Sequence, residues 1–122
     1  PRAEAHYREQ LALEEDPAAL MNLAIIYENQ GDTTRARHAL ESAATAAPWL
    51  YEPLHRLVAL YRQQGQFERA LTLMRKRSEL FAERATFYID LEKIYRASGD
   101  IDAAQAARQR AQQPMQHHSS IR

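Results

Sequence analysis

The sequence predicts an all-α fold of antiparallel helix pairs arranged in tandem. Three observations predict it. Alanine is the commonest residue at 22 of 122, while Val, Ile and Thr together number only 12, which is poor material for a sheet. Apolar residues recur at i, i+3, i+4 and i+7, the spacing of amphipathic helices. The three glycines, Gly31, Gly65 and Gly99, stand 34 residues apart. A fixed period in that range signals stacked supersecondary units.

The elements follow in chain order. A leading helix is expected over residues 2–14, with Ala3, Tyr7 and Leu11 on one face. A first pair at 18–30 and 33–46 carries Leu20, Leu23, Ala24 and Tyr27, then Ala36, Ala39, Leu40 and Ala43. The second pair, 51–64 with 67–81, repeats the pattern through Leu54, Leu57, Val58 and Tyr61, then Ala70, Leu73 and Met74. The third, 85–98 with 101–113, keeps Tyr88, Leu91, Tyr95 and Ala104. Each glycine closes a first helix, because it adopts the left-handed conformation without a Cβ penalty. Asp32 and Asp100 follow at once and are placed to cap the next helix. Gln66 occupies that place in the middle pair, so its cap should be weaker. Pro17, Pro48 and Pro53 punctuate the junctions, Pro114 ends the last helix, and residues 115–122 read as a disordered tail.

Composition excludes several function classes. Sixteen basic residues balance sixteen acidic ones, so no global field draws the chain to nucleic acid. With no cysteine there is no disulfide scaffold, zinc-thiolate site or thiol catalysis. All three glycines are used in turns, which leaves no phosphate-cradling loop. No apolar run reaches the length of a membrane span. The five histidines (His6, His38, His55, His117 and His118) contain no i, i+4 pair of the helical zinc kind. Glu14-Glu15-Asp16 reads as a solvated turn, and Asp100 with Asp102 as a helix start. No cofactor, metal or catalytic centre is expected, and the chain is not read as an enzyme. Fourteen Arg to two Lys in an Ala-rich chain point to a GC-rich bacterial genome. The start at Pro1, without a leader, reads as a segment of a larger protein, so its compartment stays open between cytoplasm and periplasm.

Leu20, Leu23, Ala24, Tyr27, Gly31, Ala36, Leu40, Ala43 and Pro48 together resemble a complete tetratricopeptide repeat. The resemblance continues through a second repeat over 51–84 and a third over 85–114, after a first over 17–50. Residues 1–16 resemble the second helix of a preceding repeat, with a junction about two residues longer than the family pattern. The resemblance implies a right-handed α-solenoid whose first helices line a concave groove. It further implies a scaffold for protein–protein interaction.

Three places depart from the family pattern. Arg77 stands where a small residue is usual, and its stem is expected to pack while its head reaches water. Glu92 and Arg108 fall at facing interior positions and are expected to pair. Trp49 and Leu50, in Pro48-Trp49-Leu50-Tyr51, replace small polar residues. They read either as a staple of the junction or, in the case of Trp49, as an exposed aromatic anchor for a partner.

Function is sought on the groove face of the first helices. It carries Asn22, Ile25 and Asn29, then His55, Arg56, Ala59, Arg62 and Gln63, then Ile89, Asp90, Lys93 and Arg96. Amides can meet a peptide backbone, and arginines can fork onto carboxylates. The expected partner is therefore a protein or peptide segment carrying carboxylates, not a nucleic acid. The family's clamp for acidic chaperone tails is disfavoured, because its positions fall on Met21, Ile25, Arg56, Thr86 and Asp90. The alternative is a structural assembly module, self-associating through its first helix or docking within a larger parent.

Overall fold

A computed structural model describes residues 16–113. The expected leading helix, Pro114 and the tail lie outside these residues. Among the described residues seven helices follow one another: α1 (Pro17–Asn29), α2 (Thr33–Ala46), α3 (Tyr51–Gln63), α4 (Phe67–Lys76), α5 (Ser78–Phe81), α6 (Ala85–Ser98) and α7 (Ile101–Gln112). No strand occurs among the described residues. The chain divides into two compact units, residues 1–60 and 61–122.

In the first unit, α1 begins where Asp16 Oδ1 accepts from the Ala18 amide at 3.1 Å. Pro17 follows at the first helical position, where the N–H it lacks would be orphaned anyway. Asp16 is thus a cap, whereas the sequence read it as part of a solvated turn. α1 packs on α2, burying Leu20, Ala24 and Tyr27 on one side and Ala36, Ala39, Leu40 and Ala43 on the other. The small alanines let the two backbones approach closely. Tyr51, Leu54, Leu57, Val58 and Leu60 of α3 are buried as well.

The second unit holds the last turn of α3 and the helices α4 to α7. α6 packs on both α4 and α7, and Ala70, Leu71, Met74, Phe81, Phe87, Ile94, Ala104 and Ala107 form the core. The expected continuous helix over 67–81 is interrupted at Arg77. There the Ser78 hydroxyl donates to the Arg75 carbonyl at 2.9 Å, and such a local bond competes with the helical ladder. The Arg77 amide is shared between the Leu73 and Met74 carbonyls. The single turn α5 then delivers Phe81 into the core. Arg77 itself is half-buried.

The three glycine turns share one construction. Gly31, Gly65 and Gly99 have φ of 76°, 76° and 92°. In each, the amide after the glycine donates back to a tyrosine carbonyl: Asp32 to Tyr27, Gln66 to Tyr61 and Asp100 to Tyr95, at 2.8 to 2.9 Å. This is the six-to-one bond of a Schellman cap. No atom lies within 4 Å of where a Cβ would stand at any of the three. The backbone conformation alone therefore requires glycine.

The caps behave as their residue types dictate. Asp32 Oδ1 accepts from the Arg35 amide and Asp100 Oδ1 from the Ala103 amide, both at 3.1 Å. Gln66 has nearly the same backbone angles as those aspartates but makes no side-chain cap bond. Gln66→Asp is expected to stabilise the protein by about 0.5–1 kcal/mol. A rise in the melting temperature, followed by circular dichroism, checks this.

Candidate functional site

Each expected site residue is placed by the helix that carries it. On α1, the Leu20, Ala24 and Tyr27 stripe turns inward and leaves Asn22, Ile25 and Asn29 exposed. Ile25 keeps 39% of its surface in water. On the part of α3 in the same unit, His55 and Arg56 are half-buried. The His55 ring lies 6.1 Å from the Tyr51 ring, one helical turn back.

Arg56 differs from the expectation of a cation held open for a partner. Its Nη2 donates to Glu28 Oε1 at 2.7 Å, joining α3 to α1. Its Nε is buried without a hydrogen-bond partner. Opposite charges on adjacent first helices satisfy one another here, so Arg56 and Glu28 form an internal tie.

In the second unit, Arg62 is half-buried near the end of α3, and Gln63 beside it is exposed. On α6, Ile89, Lys93 and Arg96 are exposed. Arg96 Nη2 meets Glu92 Oε2 at 2.8 Å, one turn away on the same helix. That bond corrects the expected Glu92–Arg108 pair: Glu92 is served along its own helix, and Arg108 is exposed on α7. Asp90, expected on the open face, is instead buried. Arg62 and Lys93 are thus the cations of this unit's set that make no ion pair among the described residues.

Trp49 is 64% exposed and Leu50 43% exposed in the turn between α2 and α3. A buried staple at this junction is not what forms, and Trp49 stands in water.

Several contacts escaped the sequence reading. Arg35 lies over the Tyr27 ring and Arg69 over the Tyr61 ring, each guanidinium 5.9 Å from the ring centroid. The signal was present as two arginines 34 residues apart, each eight residues after an aligned tyrosine. In the third pair Ala103 takes that place. Arg110 instead covers Tyr88, at 4.7 Å from the ring centroid and 3.0 Å from its hydroxyl, clipping α7 to α6.

Among the described residues, no cluster of three or more His, Cys, Asp or Glu could hold a metal ion. No described helix is long and apolar enough to cross a membrane.

No curated protein matches the chain. Residues 17–48 match the family model of the tetratricopeptide repeat. That span covers α1, its glycine turn, α2 and Pro48. Tetratricopeptide repeats serve as protein–protein interaction scaffolds and are typically non-enzymatic. With seven helices among the described residues and this match, the chain is a helical repeat protein that carries a tetratricopeptide repeat at residues 17–48.

Proposed function

We propose that the chain binds an extended segment of a partner protein along a groove formed by the exposed faces of its first helices, with 51–84 and 85–114 acting as two further repeats. The observation that carries this reading is that Arg62 and Lys93 make no ion pair among the described residues, while Ile89, one turn before Lys93 on α6, is exposed. Charged groups satisfied within the fold add little to recognition, whereas free ones steer and orient an acidic partner. Arg56 and Arg96, each engaged with a glutamate, hold the surface in place. Asn22, Ile25 and Asn29 of α1 supply backbone hydrogen bonding and an apolar contact, as do His55 and Gln63 of α3 on a smaller scale. Exposed Trp49 adds an aromatic anchor, the kind of side chain that concentrates binding energy. The packed core of each unit keeps the faces within that unit preorganised, so the partner segment bears most of the ordering cost.

A displayed peptide library selected on the wild-type protein is expected to enrich segments rich in Asp and Glu. The same selection on Arg62→Glu/Lys93→Glu is expected to lose that enrichment, with an unchanged far-ultraviolet spectrum. Enrichment without acidic bias would overturn the reading. So would an acidic enrichment that survives the double reversal.

A further inference from the structure

The end of α4 carries residues that the repeat pattern does not require. Arg75, Lys76, Arg77 and Ser78 hold the register positions of Glu41, Ser42, Ala43 and Ala44 in the first pair, and of Gln109, Arg110, Ala111 and Gln112 in the third. In the first pair the last two are buried, Ala43 with none of its surface in water and Ala44 with 5%. Their counterparts Arg77 and Ser78 are half-buried, and Arg75 and Lys76 are exposed. Arg75 and Lys76 make no ion pair among the described residues. Cations suit the carboxyl-terminal turn of a helix, which accounts for their charge. It does not account for a serine hydroxyl at the surface three residues after Arg75, where the helix stops.

That stop presents Ser78. Its hydroxyl donates to the Arg75 carbonyl at 2.9 Å in an exposed position. Residues 75–80 form a run with no buried member, between Met74, which has no exposed surface, and Phe81, which is 2% exposed. The last turn of α4 and the start of α5 can therefore open without drawing either side chain from the core, and such segments occupy the low end of local stability. A serine in an openable segment is accessible to a modifying enzyme, and protein kinases select among serines by the charge pattern around the acceptor. Ser98, in the same unit, supplies a comparison. Its hydroxyl makes the same kind of bond, to the Tyr95 carbonyl at 3.0 Å. The residue three before it is Tyr95 itself, and Arg96, two before it, is held by Glu92 at 2.8 Å. Of the two serines, Ser78 is the one that follows cations without an ion pair.

We propose that Ser78 is a phosphorylation site, modified by a serine kinase that reads Arg75 and Lys76 three and two residues before it. The kinase's carboxylate base takes the hydroxyl proton and the Ser78 oxygen bonds to the terminal phosphorus of a nucleoside triphosphate. The bond from that phosphorus to the bridging oxygen breaks, and the nucleoside diphosphate leaves. Phosphoserine has no proton to give the Arg75 carbonyl, and it places a charge of about −1.5 to −2 next to Arg75, Lys76 and Arg77. The modification uses none of the proposed groove residues, so its failure would leave that reading untouched.

The test incubates the folded full-length chain with magnesium ATP and a serine kinase selective for basic residues two and three positions before its acceptor, first shown to be active on a basic reference peptide. Tandem mass spectrometry is expected to place one phosphoryl group on Ser78 and none on Ser42 or Ser98. Ser78→Ala is expected to abolish incorporation. Arg75→Ala/Lys76→Ala is expected to slow it by about tenfold or more, with an unchanged far-ultraviolet spectrum because both side chains are exposed. The chain recovered from its own cells under phosphatase inhibition is expected to carry phosphoserine at the same position. No incorporation at Ser78 by the active kinase, equal incorporation at Ser98, a rate unchanged in the double variant, or no phosphoserine at Ser78 in the native material would each overturn the proposal.

Discussion

Ile94→Ala is expected to destabilise the protein by about 2–5 kcal/mol, the range for truncating a fully enclosed aliphatic. Ile94 has no exposed surface and lies on α6, the helix that packs on both α4 and α7. A cavity there loosens an element on which two others in the unit pack. For a domain of this size the loss amounts to roughly 10 °C or more in melting temperature. Ile89→Ala, on the same helix at a position 39% exposed, is expected to change stability by less than about 0.5 kcal/mol. Thermal melts of the two variants, compared side by side, separate the core face of α6 from its exposed face, the one proposed to bind.

Arg56→Glu is expected to cost about 1–3 kcal/mol. Exposed ion pairs contribute less than this and buried ones more when one partner is removed. The Arg56–Glu28 pair lies between, with side chains 28% and 30% exposed. Reversal does more than delete a contact, because it sets two carboxylates against each other where α3 meets α1. Combining it with Glu28→Arg is expected to recover most of the loss, and a double-mutant cycle from chemical denaturation measures the coupling. The internal tie separates the two arginines: reversal at Arg62 tests binding, and reversal at Arg56 tests folding.

Most of the helical plan was legible in the sequence because it rests on local chemistry. Glycines at positive φ, aspartates after them and apolar residues at helical spacing act within a few residues of one another. Those signals placed the turns at Gly31, Gly65 and Gly99 and the weaker cap at Gln66. The break at Arg77 was not legible, because it depends on the choice of Ser78 between solvent and a carboxyl-terminal carbonyl of the preceding turn. The site was legible only as a list of residues on faces. Whether a cation is free or tied depends on partners remote in sequence: Glu28 lies 28 residues from Arg56. Glu92 illustrates the same point at short range, since two arginines could reach it and the helix favours the one four residues on. Asp90 shared a helix with the exposed set, yet its rotation about the axis carries it inside.

The most direct test of the account is the affinity of one acidic segment recovered by selection, titrated against the wild-type protein and against Arg62→Glu/Lys93→Glu. The double reversal is expected to weaken binding by about tenfold or more, equivalent to at least about 1.4 kcal/mol, with circular dichroism unchanged. The wild-type affinity should also fall as salt is raised, because the contributing charges are solvent-exposed. Equal affinity for the two proteins, with both folded, would contradict the assignment of this face as the binding site.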